Sequence, residues 1–313
     1  MRAMIVAAGL GTRLRPLTYL RPKPVVPVRG LPLVAYPLAL LAAHGVREVI
    51  INTHHLPDQL VAAARRSCPP GVDLRFSHEE GLLGTGGGIR RAASFLRESD
   101  PCLILGGDML LDFDLGGLVA GHRARGDALT LLLREDRRAE AFGSIGVDSE
   151  GRLRRIGRRF DLGGEVASGL YAWANVVSAR AFDALPEEEV FSHLDGWIAP
   201  LLSRGARDVR GVIATEADSV WEPVGTPAEY LAANVAPARL RYLDADAVAR
   251  AEGTRFEGDV VIGARAILGR GVRLSRAVVW DGERVPDGLE GHDGVFAGGA
   301  FHACPPDAEG GEA

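Results

Sequence analysis

Through its first two-thirds the chain alternates short apolar runs with helix-like runs, and few folds accept that rhythm. Met4–Ala8 reads as a short buried strand, and Leu33–His44 as an apolar helix stopped by Gly45. Val49–Asn52, Leu74–Ser77, Cys102–Leu105 and Ala128–Leu133 read as further strands. Asp58–Arg66, Gly88–Leu96 and Leu115–Arg125 read as the helices between them. Strands joined by crossover helices predict an α/β fold, a mostly parallel sheet flanked by helices. Such a sheet binds ligands at the carboxyl ends of its strands. Gly9 and Asp108 each follow a strand, so both are expected in that crevice. Ile145 to Tyr171 is turn-rich and reads as antiparallel strands forming one pocket wall. Ala181–Leu185 and His193–Ser203 look helical, Val220–Gly225 extended, and Ala228–Val235 helical again.

After Pro237 the texture changes. Phe256, Ile262, Leu268, Leu274 and Trp280 recur every six residues, with Gly258, Gly263, Gly269 and Gly271 between them. A hexapeptide period marks a β-helix. Four hexads make little more than one coil, too little for a separate enzyme domain. The chain therefore divides into a main domain over 1–236, a short β-helix appendage over 237–304, and a polar, disordered tail over 305–313.

Composition narrows the function. The 313 residues are 47% hydrophobic and 25% charged, with a net charge of −5, which gives no basic excess to drive nucleic-acid binding. Three scattered cysteines, Cys68, Cys102 and Cys304, organise neither a disulfide framework nor a zinc cluster. No apolar run reaches the roughly 20 residues of a membrane span, and Gly9, Gly11 and Arg13 interrupt the N-terminal run too early for a signal peptide. A cytoplasmic protein is expected. Of 36 basic residues, 35 are arginine and Lys23 is the single lysine. An ammonium is a compact point charge, which the wide guanidinium fork is not.

That lysine lies in the most specific stretch, Ala7-Ala8-Gly9-Leu10-Gly11-Thr12-Arg13-Leu14-Arg15-Pro16-Leu17-Thr18, then Arg21-Pro22-Lys23-Pro24. The stretch is not a P-loop, which needs Gly-Lys-Ser/Thr after four spacers. Nor is it a dinucleotide fingerprint, because Leu14 takes the place of the third glycine. Gly9 and Gly11 let backbone N–H groups approach a phosphate, and Arg13 and Lys23 add two cations. Pro22 and Pro24 stiffen the segment around Lys23. An ordered lysine beside a phosphate cradle stabilises charge developing at phosphorus.

Gly-x-Gly-Thr-Arg-x-x-Pro-x-Thr followed by Pro-Lys-Pro resembles the sugar-1-phosphate nucleotidylyltransferase family, which makes NDP-sugars from an NTP and a sugar 1-phosphate. The likeness covers Ala8–Val235: Leu83-Gly84-Thr85-Gly86-Gly87-Gly88 is similar to the family's base-reading loop, Gly107-Asp108 to its metal site, and Gly225-Thr226-Pro227 to its late Gly-Thr-Pro. The resemblance implies a Rossmann-like sheet and a C-terminal left-handed β-helix coil of the mannose-1-phosphate guanylyltransferase-like kind. It implies nucleotide contacts by Ala8, Gly9, Gly11, Thr12, Gly86 and Gly87, and catalytic roles for Arg13 and Lys23. Mg²⁺ would sit on Asp108, and Gly143, which follows Phe142, would line the sugar side. The Thr-Gly-Gly-Gly pattern resembles guanylyltransferases for mannose or heptose phosphates and also the uridylyltransferase for N-acetylmuramic acid 1-phosphate. The coil favours the first group, while the glycine loop itself leaves guanine and pyrimidines open.

Three departures stand out. The family's Trp-x-Asp is here Trp221-Glu222-Pro223, so the second metal ligand falls to Glu222 only if a bulge at Pro223 turns it. Asn-Ala-Gly is here Ala167-Ser168-Gly169, leaving Gly169 at the sugar side. The family's Glu-Lys-Pro is absent, so Arg154, Arg155, Arg158 or Arg159 takes the lysine's place and Glu165 the acidic role. The other constellations are weaker. His54-His55 lacks metal-ligand spacing, and His193 with Asp195 lacks a nucleophile elbow. The expected activity is therefore Mg²⁺-dependent NDP-sugar synthesis, with cell-envelope polysaccharide as its use. The partners would be an NTP and a sugar 1-phosphate, with no nucleic acid or membrane, and a homo-oligomer formed through the coil is possible. The competing reading is a catalytically silent nucleotide-sugar-binding regulatory subunit, for which Pro223 and the missing second lysine speak.

Overall fold

The structure, a computed structural model, describes residues 1–139 and 143–306. In chain order the first strands are β1 (Arg2–Val6), β2 (Pro27–Val28), β3 (Leu31–Pro32), β4 (Glu48–Thr53), β5 (Asp73–His78), β6 (Cys102–Gly106) and β7 (Met109–Asp112). They are followed by β8 (Leu129–Arg134), β9 (Ser144–Val147), β10 (Leu153–Ile156), β11 (Phe160–Asp161), β12 (Ala167–Val177), β13 (Val209–Ala214) and β14 (Val220–Pro223). β5, β4, β1 and β6 lie side by side and parallel. Neighbouring positions feed opposite cores. Ile5, Ile51 and Leu105 pack with Leu38, Leu60 and Leu118 on one face. Met4, Ile50 and Ile104 pack with Ile89, Phe95 and Leu96 on the other. Burial on both faces is why β1, β4 and β6 read as apolar runs, whereas β5 is half exposed and alternates.

Beyond β6 the Rossmann-like sheet becomes mixed. β12 runs antiparallel to β6 and carries two branches. One branch is β8, antiparallel to β12, with β13 parallel beside it. The other is the antiparallel wing of β9, β10 and β11. The turn-rich region is thus antiparallel as its glycines suggest. β7 and β13 had no separate signal in the sequence: Met109–Asp112 follows β6 after only two residues, and Val209–Ala214 is short and interrupted by Arg210 and Gly211.

The C-terminal region opens with a helix over Ala245–Ala251 and continues as β15 (Arg255–Glu257), β16 (Val260–Ile262), β17 (Ile267–Leu268), β18 (Arg273–Val279), β19 (Arg284–Val285), β20 (Glu290–Ala297) and β21 (Ala300–Ala303). β16, β18 and β20 stack in parallel with Val260 opposite Ala277 and Ala277 opposite Gly294. β17 stacks on β19 with Ile267 opposite Arg284. The repeat is 17 residues, so this is a β-solenoid a residue short of three hexads per turn. Ile262, Leu268 and Leu274 fill its interior as their spacing predicts. Trp280 and Phe256, which share that spacing, instead join the core between the solenoid and the loop and helix segments of the main domain. Residues 307–313, most of the expected disordered tail, lie outside the described residues.

That shared core also contains Leu14, Leu17, Val26 and Val28 from the glycine-loop region, and Tyr230 from the Pro227–Val235 helix. Tyr230 is fully buried, donates to the carbonyl of Pro27 at 2.7 Å and accepts from the indole N–H of Trp280 at 3.0 Å. One hydroxyl therefore satisfies two groups and joins three segments. Tyr230→Phe leaves two buried polar groups unpaired, and urea unfolding should register a loss of about 1–3 kcal/mol. A change under about 0.5 kcal/mol would contradict this role.

Candidate active site

β1 delivers the chain to a cavity of about 400 Å³ at the carboxyl ends of β1 and β6. Gly9, Gly11, Thr12, Arg13 and Lys23 line it from the N-terminal side, Asp108 and Gly106 from the end of β6, and Thr85, Trp173 and Gly225 from the remaining walls. The loop after β1 is tied at its start, where the Ala7 N–H donates to the buried Asn52 side chain at 2.6 Å. Gly11 is required twice over. Its φ is +61°, and a Cβ there would lie 2.9 Å from Thr18 Cγ2 and 3.0 Å from Lys23 Cβ. The loop thus folds directly onto the lysine.

Lys23 begins a single 3-10 turn over Lys23–Val25, after Pro22 in extended geometry. Its side chain is 11% exposed, and its ammonium contacts the Asp108 carboxylate at 2.8 Å. Asp108 is 44% exposed and opens to the cavity. Arg13 is exposed on the rim, and its guanidinium lies close to Gly225. The Gly225-Thr226-Pro227 run has a local purpose as well. Thr226 caps the Pro227–Val235 helix in a capping box with Glu229, and the Glu229 carboxylate accepts the Gly225 N–H at 2.6 Å.

The glycine run near residue 84 departs from expectation. The helix there spans Gly84–Leu96, four residues earlier than Gly88–Leu96. Gly86 and Gly87 do not line the cavity. Their N-terminal turn is pressed against Phe191 and the carbonyl of Glu189, where a Cβ would clash, and the Gly86 N–H donates to the Phe191 carbonyl at 2.9 Å. The residue of this run that does line the cavity is Thr85. Ala8 is buried behind the loop.

Glu222 is not turned into the cavity. β14 pairs with β7 without a bulge, Pro223 opposite Met109 and Glu222 opposite Leu110. The Glu222 carboxylate instead pairs with Arg138 at 3.4 Å. The expected second metal ligand is therefore corrected: no bulge at Pro223 turns Glu222, which does not line the cavity and whose carboxylate is taken up by Arg138. Among the described residues no group of three or more His, Cys, Asp or Glu is placed to hold a metal.

The sugar-side candidates sit on the antiparallel wing, outside the cavity. Glu165 pairs with Arg155 at 2.6 Å and covers Gly146. Gly169 lies against the backbone of Arg134, and Gly143 opens the wing just before β9. Phe142 lies outside the described residues. Arg155 also donates to the carbonyls of Ser144 and Gly157, and Arg154 to those of Leu162 and Gly163. Both are thereby held as part of the wing. Arg158 is exposed, and Arg159, 83% exposed, pairs with Asp195 at 3.2 Å.

Trp173 in the cavity, and Asn52 and Glu79 behind its loops, carried no sequence signal. Trp173 has a φ of +56°, an outlier for a bulky side chain. It sits where the pairing of β12 with β8 slips between Tyr171 and Asn175, and that slip turns its ring into the cavity. Asn52 also donates to the buried Glu79 at 2.7 Å, and Glu79 accepts the Leu83 N–H at 3.1 Å. This chain couples the two glycine loops. His193, weighed with Asp195 in the sequence and set aside for want of a nucleophile elbow, joins Thr85 at 2.8 Å to the Tyr171 hydroxyl at 3.0 Å, behind Trp173.

The chain matches the nucleotidyl transferase family model over residues 2–239. It is 32% identical over 300 residues to a mannose-1-phosphate guanylyltransferase of Mycobacterium tuberculosis (strain ATCC 25618 / H37Rv), covering 91% of this chain and 81% of that protein. It is 27% identical over 246 residues to a UTP--glucose-1-phosphate uridylyltransferase of Synechocystis sp. (strain ATCC 27184 / PCC 6803 / Kazusa), covering 74% of this chain and 61% of that relative. The crystal structure of HddC from Yersinia pseudotuberculosis superposes with a TM-score of 0.60 at 22% identity, over 73% of this chain and 96% of that one, which is a likeness of fold.

Burial pushes the His193 imidazole down from 6.5 to about 3, and His122 is lowered by burial too. Below pH 6.5 the unfolded chain therefore takes up protons that the folded chain refuses. The stabilisation is full above pH 6.5 and is lost as pH falls. The thermal midpoint should drop from pH 7 to pH 5, and His193→Asn should flatten the drop; an equal slope in the variant would contradict this. By the extent of the family match and the 32% relative, the chain belongs to the nucleotidyl transferase family.

Proposed function

We propose that the chain transfers a nucleotidyl group from an NTP to a sugar 1-phosphate, giving an NDP-sugar and pyrophosphate, with GTP and mannose 1-phosphate as the first pair to test. The observation that carries the reading is the meeting of Lys23, the glycine loop and Asp108 in one cavity. A Cβ at Gly9 would meet no protein atom within 4 Å, so the protein's own packing does not demand glycine there. The N–H groups of Gly9, Leu10 and Gly11 find no backbone acceptor among the described residues. Free N–H groups, an open loop and two cations suit a polyphosphate. The relative from Mycobacterium tuberculosis supports the choice of pair.

In this reading a phosphate oxygen of the sugar 1-phosphate attacks the α-phosphorus in line. The bond between the α-phosphorus and the bridging oxygen to the β-phosphate breaks, and pyrophosphate leaves with that electron pair. The loop amides and Arg13 hold the triphosphate. Lys23 exchanges its Asp108 partner for an α-phosphate oxygen and offsets the charge that builds there. The donor set fits Mg²⁺ of the substrate-borne kind, because a hard ion held by one or two carboxylates takes its other ligands from phosphates and water. Asp108 would hold it, and the ion would neutralise and align the phosphates. Residues 1–236 would carry this chemistry in the cytoplasm, with the 237–304 solenoid, read as left-handed, as an appendage.

A second reading rests on Asp108, the one carboxylate among the described residues that lines the cavity. With Glu222 paired to Arg138, the chain would bind nucleotide sugars without turning them over. Pyrophosphate release with Mg²⁺ separates the two, tested with GTP, UTP, dTTP, CTP and ATP against mannose, glucose and N-acetylmuramic acid 1-phosphates. Release with one pair supports the transferase. Binding without release supports the silent subunit. Lys23→Ala should lower kcat by about 10²–10³-fold, the scale of losing one preorganised charge donor; unchanged turnover would remove Lys23 from the mechanism.

A further inference from the structure

The lysine segment is held by the solenoid. The Arg21 guanidinium donates to the Asp281 carboxylate at 2.6 Å and lies over the Trp280 ring at 4.6 Å. Trp280 is 1% exposed, and its indole N–H is tied to Tyr230, so it is a fixed platform. Asp281 also has the exposed Arg265 at 3.8 Å. One residue earlier, Leu20 packs under the solenoid turn at Gly298, where an added Cβ would come within 2.9 Å of it.

We propose that Asp281 is a positioning residue for Lys23, acting through Arg21. Few soft torsions separate the two residues. Arg21 is extended and precedes a proline, which restricts its backbone. Pro22 has its own φ fixed, and its carbonyl accepts the Val25 N–H at 2.7 Å to close the turn that begins at Lys23. A guanidinium anchored on Trp280 and Asp281 therefore sets where the lysine Cα lies. On the far side, Tyr230 holds Pro27 to the same tryptophan. The rung of Trp280 and Asp281 grips the lysine segment at both ends.

This inference rests on the transferase reading for its kinetic arm, and a substrate-free measurement is therefore paired with it. Asp281→Asn should lower kcat by about tenfold to a hundredfold, the cost of a small misplacement of a reacting group, while KM for the NTP stays within about twofold. Asp281→Glu should recover part of the loss. Backbone hydrogen exchange without substrate should quicken at residues 20–26 while the thermal midpoint holds. Asp293→Asn, which removes a carboxylate from the Arg276 pair elsewhere on the solenoid, should leave kcat unchanged. Wild-type kcat in Asp281→Asn, a fall in kcat without local exchange, or a fall with exchange raised throughout the solenoid would each overturn the proposal. If the wild-type chain releases no pyrophosphate with any pair, the transferase reading fails, and unchanged exchange at 20–26 overturns the Asp281 linkage separately.

Discussion

The contact between the Lys23 ammonium and the Asp108 carboxylate is the point on which the site turns. It joins a turn near the N-terminus to the end of a central strand, 85 residues apart, at 2.8 Å. An ammonium this enclosed needs a partner, and among the described residues Asp108 is the carboxylate that pairs with it. Any phosphate entering the cavity competes for the lysine, and any cation competes for the carboxylate. Such a pair holds both groups in place before substrate arrives, which reduces the reorganisation left for the reaction itself.

Everything around that pair restricts where the lysine can go. Gly11 folds the phosphate loop against its Cβ, prolines flank it, and a core shared with the solenoid closes behind it. The C-terminal region is therefore part of the wall behind the site. Its alternating strand residues make this possible: Val260 and Ile262 face into the solenoid, while Val261, Val278 and Val295 face the catalytic side. A sheet with two buried faces can serve as a joint as well as a cap.

Much of this was legible in the sequence, and the rest was hidden for identifiable reasons. Three of the four parallel strands, β1, β4 and β6, announced themselves because each is buried on both faces. That Arg13, Lys23 and Asp108 would converge on one cavity was legible because rigid glycine and proline punctuation left few ways to arrange them. Glu222 was misjudged as a ligand because a one-residue offset in a strand exchanges its face, and no bulge at Pro223 corrects it. Gly86 and Gly87 look like a nucleotide loop in sequence, yet they accommodate the Phe191 ring and the Glu189 carbonyl, neighbours that sequence spacing cannot reveal. Trp173 escaped notice because its direction depends on a register slip between two strands, a tertiary property. The same holds for Asn52 and Glu79, whose partners lie on other loops.

The most direct test is a crystal structure of the chain with Mg²⁺ and a non-hydrolysable GTP analogue. The account predicts that the Lys23 ammonium leaves Asp108 and lies about 3 Å from an α-phosphate oxygen, with the triphosphate along Gly9 to Arg13. A structure with the Lys23–Asp108 contact intact and the α-phosphate beyond the lysine's reach would contradict it.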